Sequence, residues 1–156
     1  MYTKIMVPLD GSELAECALP HAEAIASRCG SRVMLVSVTE RIQGYRPVPE
    51  YGGSSGERLV PEAGGKMDSQ GQKYLDRIAR GLEEKGIKTQ TEMMMGNPAE
   101  ELTIYAKAEK ADLIIMASHG RSGPSKWAHG SVAEKVLRSS LTPVLLVRAP
   151  GCTEAN

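Results

Sequence analysis

A chain of 156 residues with 19 Lys and Arg against 19 Asp and Glu carries no net field, which argues against nucleic acid or an anionic membrane as its partner. It has no Phe, one Trp and five Tyr, so its core is expected to be aliphatic and methionine-filled, with no aromatic platform for stacked bases. Cys17, Cys29 and Cys152 form no C-x-x-C pair, and His21, His119 and His129 are equally scattered, which argues against a disulfide framework or a metal centre and suits a reducing compartment.

The length predicts one domain over residues 1–150, with a short tail at 151–156. The opening MYTKIMVPLDGS leads straight into a strand rather than a cleavable leader, and no apolar run approaches a membrane span. Both features predict a cytoplasmic protein.

Residues 4–9 read as a buried first strand that ends in the turn Pro8-Leu9-Asp10-Gly11-Ser12. From Leu14, apolar positions at Ala18, Ala22, Ile25 and Cys29 mark one helix face, closed by Gly30. Pro20 lies inside that pattern and is expected to kink it by removing the bond to the Glu16 carbonyl. Arg32–Thr39, with VMLVSV at its centre, is the second strand. Residues 40–65 then gather Gly44, Gly52, Gly53, Gly56, Gly64 and Gly65 with Pro47, Pro49 and Pro61, which predicts a long flexible loop or lid.

Residues 67–82 have helical spacing through Tyr74, Leu75, Ile78, Ala79 and Leu82. Residues 87–95 alternate, as a half-exposed strand toward a sheet edge does. Met93-Met94-Met95 within them reads as packing at a strand end, not as a soft-metal patch. Gly96-Asn97-Pro98 turns into a helix carrying Leu102, Ile104, Tyr105 and Ala108.

The stretch that organises the rest is ADLIIMASHGRSGPSKWAHGSVAEKVLRSSLTPVLLV, residues 111–147. A strand at 113–116 empties into a loop with Gly120, Gly123 and Gly130, and Gly130-Ser131 opens a helical segment that leads to a last strand, Val144–Val147. A helix start leaves N–H groups unpaired and carries partial positive charge, so it attracts anions, and glycines ahead of it let backbone approach a phosphate. The plainer alternative is that Ser131 only caps the helix. Neither G-x-x-x-x-G-K-[ST] nor G-x-G-x-x-G is present in the right setting.

Strands alternating with helices in five repeats predict an α/β domain with a parallel sheet, whose ligands sit beyond the carboxyl ends of the strands where strand order reverses. The turn at Asp10 and the segment Ala117-Ser118-His119-Gly120 would then share one crevice.

These residues resemble the universal stress protein family, of the nucleotide-binding type, over nearly the whole chain. The family pattern is G-x-x-G, nine residues, then G-[ST]. Here Gly120, nine residues and Gly130-Ser131 complete it, with Pro8-x-Asp10, Gly96-x-Pro98 and Thr142-Pro143-Val144 as further matches. The resemblance implies a doubly wound five-stranded parallel sheet, order 3-2-1-4-5, with helices on both faces. It implies a homodimer along Val144, Leu145, Leu146 and Val147, an apolar edge that invites pairing, and an unknown regulatory protein partner. It also implies ATP or AMP, with or without Mg²⁺. Asp10 would contact the ribose or base, and Pro8, Val38 and Met116 would flank the adenine. Gly120, Gly130, Ser131 and Val132 would hold phosphates. Asp10 could equally cap its own helix with Glu13 reaching back, and Val38 and Met116 could be plain core.

The chain departs from the pattern at Ala117, where the family has its first glycine. Were positive φ needed there, alanine would cost about 1–2 kcal/mol, or about five- to thirtyfold in affinity. Arg121 and Lys126 stand in the loop where they can pair with phosphate. The leading expectation is a dimeric stress-response module that binds adenine nucleotide. The alternatives are slow ATP hydrolysis or autophosphorylation on Ser118, Ser122, Ser125 or Ser131 with His119 as base, and a dimer that binds no nucleotide.

Overall fold

A computed structural model of the chain describes residues 1–39, 45–49, 57–61, 69–120 and 130–149. Five strands, β1 (Lys4–Pro8), β2 (Arg32–Thr39), β5 (Lys88–Met95), β6 (Leu113–Ala117) and β7 (Val144–Val147), form one parallel sheet in the order β5-β2-β1-β6-β7. Numbered within the sheet, that is the expected order 3-2-1-4-5. The three central strands β1, β2 and β6 are buried and apolar on both sides, as a sheet covered on both faces requires.

Alternate side chains separate into two cores. Ile5, Val7, Val33, Leu35, Leu113 and Ile115 face α2 (Leu19–Cys29) and α3 (Ser69–Glu83), packing on Ala22, Ala26, Leu75 and Ala79. Met6, Met34, Val36, Ile114 and Met116 face α4 (Pro98–Ala108) and α5 (Ser131–Ser139), packing on Ala99, Leu102, Ala106, Ala133 and Val136. Alanines on the inner helix faces let the backbones come close, and methionine fills the irregular space that remains.

The first helical stretch is corrected by the structure. It is not one kinked helix but two, α1 (Glu13–Glu16) and α2, and Pro20 stands in the first turn of α2. There its missing N–H would have had no intrahelical acceptor, so the break at Cys17 and Ala18 removes the conflict that a kink would have had to absorb.

The expected loop at 40–65 is also corrected in part. Strands β3 (Tyr45–Pro49) and β4 (Glu57–Pro61) pair antiparallel as a two-stranded ribbon. Pro47, Pro49 and Pro61 all fall in alternate pairs, Tyr45↔Pro61, Pro47↔Leu59 and Pro49↔Glu57. The pairs Arg46↔Val60 and Val48↔Arg58 are left to carry the ladder bonds, which is how a ribbon tolerates proline. Residues 40–44, 50–56 and 62–68, and with them the idea of a lid, lie outside the described residues.

The edge strand β5 is half-buried along its length rather than on one face. Met93 packs into the α2/α3 core and Met94 into the α4/α5 core. No helix among the described residues is long and apolar enough to cross a membrane.

Candidate functional site

After β1 the Leu9 N–H still bonds the Val36 carbonyl at 2.8 Å, so the chain leaves the sheet at Asp10. Asp10 Oδ1 accepts from the Ser12 N–H at 2.9 Å and its hydroxyl at 2.5 Å. Ser12 Oγ in turn accepts from the Ala15 N–H at 3.2 Å and is the N-cap of α1. Asp10 therefore does not cap the helix with Glu13. It holds the capping serine, one step back, which fixes its own carboxylate at the mouth of the sheet.

β6 ends at Ala117, whose backbone is not in the left-handed region: Lys110 is the one non-glycine with positive φ among the described residues. The expected cost of alanine at this position does not arise, because the residue is still strand. Beyond it Ser118 and His119 are 2% and 3% exposed. The Ser118 N–H donates to the Val147 carbonyl at 2.7 Å, and the Ser118 carbonyl accepts from the Gly130 N–H at 2.7 Å. Ser118 Oγ accepts from the Ala149 N–H at 3.0 Å and lies 3.1 Å from His119 Nδ1.

Two glycines close the approach between the parts. A Cβ on Gly120 would run into the Asp10 carboxylate, and a Cβ on Gly130 would stand 3.0 Å from the Ser118 carbonyl oxygen and 3.5 Å from His119 Cα. A side chain at Gly120 would have to push the Asp10 carboxylate aside, and one at Gly130 would require the Ser118 peptide to give way. Gly130 is also the N-cap of α5, with no side-chain cap bond. Ser131 is thus the first helical residue and not its cap, as the plainer alternative had it. The first-turn N–H groups of α5 have no capping oxygen among the described residues.

The result is a crevice of about 870 Å³ at the carboxyl ends of β1, β2 and β6. Pro8, Asp10, Val38, Met116, Ala117, Gly120, Gly130, Ser131 and Val132 all line it. So do Val36, Thr39, Pro98, Leu102, Ser118 and His119. Of these, Thr39 was within reach of sequence reasoning, since it ends β2 and strand ends face the ligand side. Leu102 was not, because only the lie of α4 over the sheet brings it in.

Val36, Val38, Leu102 and Met116, which pack together in one core cluster, make part of its lining apolar, while Asp10 and the start of α5 supply polar groups. The Thr39 hydroxyl is buried with no hydrogen-bond partner among the described residues. Arg121, Ser122, Ser125 and Lys126 lie outside the described residues.

Groups with shifted acidity stand off the crevice. Burial, and then its hydrogen bond to Glu16 at 3.0 Å, drive the Tyr74 phenol far above its ordinary range, with a smaller push from Asp10. On the other face, burial and then Glu92 and Glu109 push the Tyr105 phenol up to about 12. Burial, and then Glu109, raise the Glu92 carboxyl.

The sequence model of the universal stress protein family matches residues 1–148. The chain is 35% identical over 150 residues to universal stress protein MJ0531 of Methanocaldococcus jannaschii, covering 96% of this chain and 84% of that protein. It is 30% identical over 155 residues to universal stress protein YxiE of Bacillus subtilis, covering 95% and 100%. The solved structure of MJ0577 superposes with a TM-score of 0.71 at 28% identity, covering 95% of this chain and 96% of that one. Two more distant structures share the fold: a universal stress protein in complex with cAMP, with a TM-score of 0.61 at 21% identity over 94% and 97%, and one from Archaeoglobus fulgidus in complex with dAMP, with 0.62 at 19% over 93% and 97%.

Proposed function

Because this chain belongs to the universal stress protein family, we propose that its crevice binds an adenine nucleotide, ATP or AMP, and that the protein works as a homodimeric stress-response or regulatory module. One observation carries the reading: a helix start with no side-chain cap among the described residues stands beside two glycines at which a methyl group would crowd Asp10 and the Ser118 carbonyl, at the switch point of a doubly wound sheet. That is the arrangement an oxyanion needs. The apolar lining of Val36, Val38, Leu102 and Met116 suits a flat base, and the fixed Asp10 carboxylate suits ribose hydroxyls. The buried Thr39 hydroxyl, which has no partner among the described residues, would gain one. The cAMP and dAMP complexes concern other proteins with this fold, and the case here rests on the crevice of this chain.

When bound, the nucleotide supplies a base, a sugar and phosphate charge. Asp10 would hold the sugar end, and the first turn of α5 would hold the phosphates. Among the described residues no group of three or more His, Cys, Asp or Glu is arranged to hold a metal, so Mg²⁺ would arrive on the phosphates. Turnover finds little here. Ser118 Oγ does face His119 Nδ1 at 3.1 Å, but at 2% exposure it would meet an incoming phosphorus only after the residues around it move.

The dimer of this proposal forms along β7, an edge strand of the sheet. Leu145 on that strand and Leu141 shortly before it are exposed, which is the apolar surface that such a pairing would cover.

Calorimetric titration of ATP with Mg²⁺, and of AMP, into nucleotide-stripped protein tests the reading. Saturable binding near micromolar, about −8.2 kcal/mol, is expected, with loss of at least about tenfold in Gly130→Val. Absence of heat up to millimolar nucleotide would overturn it. Phosphate release well above background, abolished by His119→Ala, would make the protein an enzyme instead.

A further inference from the structure

We propose that Ser118 is a positioning residue through which a ligand on the start of α5 is felt at the outer edge of the sheet. The proposal rests on the nucleotide reading and adds a route by which occupancy leaves the crevice. Three bonds converge on this one residue from three separate parts of the chain. Its carbonyl accepts from the Gly130 N–H at 2.7 Å, its N–H donates to the Val147 carbonyl at 2.7 Å, and its hydroxyl accepts from the Ala149 N–H at 3.0 Å.

The node has no slack. Ser118 and Ala149 are both buried, and Gly130 already approaches so closely that a methyl group there would come within 3.0 Å of the Ser118 carbonyl oxygen. Close-packed interiors pass displacement on rather than absorb it. An anion drawn onto the first-turn N–H groups of α5 fixes Gly130, and through it the Ser118 peptide. The hydroxyl is the part that reaches past β7, to Ala149. Without it the two backbone bonds remain and the segment after β7 loses its latch. Because β7 is an edge strand, the residues so latched lie where a second copy would pair.

Amide hydrogen exchange of Ala149, followed by NMR with and without saturating AMP, reads this coupling directly. In the wild type AMP is expected to slow exchange by about fivefold or more, within the usual range of coupling between sites. In Ser118→Ala, saturated with AMP as judged by calorimetry, the ratio should fall to one. Linkage is reciprocal, so Ala149→Pro, which deletes the donor at a residue outside the crevice, should weaken AMP binding by a similar factor. This arm holds even if Ser118→Ala fails to fold. AMP binding with a wild-type exchange ratio of one, or unchanged AMP affinity in Ala149→Pro, would overturn the proposal and leave the nucleotide reading standing. No AMP binding at all would sink both.

Discussion

Asp10 and Gly120 show how single residues shape the crevice. The carboxylate can sit where it does because Ser12 holds one of its oxygens and the opposing residue has no side chain. Lys110 presents the converse case: it takes φ 54 just past the end of α4, where a Cβ crowds the following carbonyl. Lys110→Gly should therefore stabilise the fold by up to about 1 kcal/mol, read as a higher urea midpoint at unchanged slope. An unchanged or lower midpoint would show that the strain is relieved elsewhere.

The nine residues that the family resemblance implies around a ligand do line one crevice; the turn residues Pro8, Asp10, Gly120 and Gly130 are marked in the sequence itself, whereas Val38, Met116 and Val132 carry no mark of their own and came only with the resemblance. The position of Ala117 was legible, but its conformation was not. The departure from glycine looked costly only while the residue was placed in the loop, and the structure keeps it in β6.

At the scale of elements, the edge strand β5 carries a charge into a packed face. Gln90 Nε2 donates to the Tyr105 hydroxyl at 3.2 Å, and Glu92 shares this surface with Tyr105 and Glu109. The Glu92 carboxyl is raised above 4.5, first by burial and then by Glu109. Between 4.5 and that raised value the folded state binds more protons than the unfolded one, so stability falls as pH rises through the window. Above it the penalty is fully present. Glu92→Gln is accordingly expected to raise Tm at pH 7, with the gain shrinking to nothing below about pH 4.5. Equal Tm differences at pH 7 and pH 4 would rule this out.

Elements differed in how readily they could be read. Arg32–Thr39 and Val144–Val147 have the bounds that the apolar runs predict, and for the first of them the unbroken run answers to cover on both faces. The ribbon of β3 and β4 escaped because proline and glycine were weighed as breakers, whereas a two-stranded ribbon only asks that proline fall in alternate pairs. The break before α2 escaped for a related reason: the apolar spacing runs through Cys17 and Ala18 without a gap, and only the backbone bonds show that the helix restarts.

For the whole molecule, the layer order followed from alternation of strands and helices together with the family resemblance, and the sheet has that order. The proposed assembly follows from what the sheet leaves open. Leu141 is 94% exposed and Leu145, on the edge strand β7, is 36% exposed. Leu141→Glu combined with Leu145→Glu should shift a dimer toward monomer by at least about tenfold in dissociation constant, since charges opposite one another across a paired edge repel. Sedimentation velocity over a dilution series would show it. A wild type that sediments as a monomer at every concentration would refute assembly by this edge.

The central pairing of β1 with β6 has a kinetic consequence. The clamp of Asp112 on the Lys4 N–H joins residues 108 apart in the chain, and the register Ile5↔Leu113 cannot form before both strands exist. Contacts of such separation slow folding, because the intervening chain must be ordered first. On a ribosome that adds about 5–20 residues per second, β1 waits about 5–20 seconds for its partner. Through that interval Met6 and Val7 have one neighbouring strand at most, and the half-built sheet is open to chaperones and to other nascent chains. If the proposed ligand touches both Asp10 and α5, it can reward only the finished chain. Nucleotide should therefore slow unfolding and leave the early refolding phase unchanged.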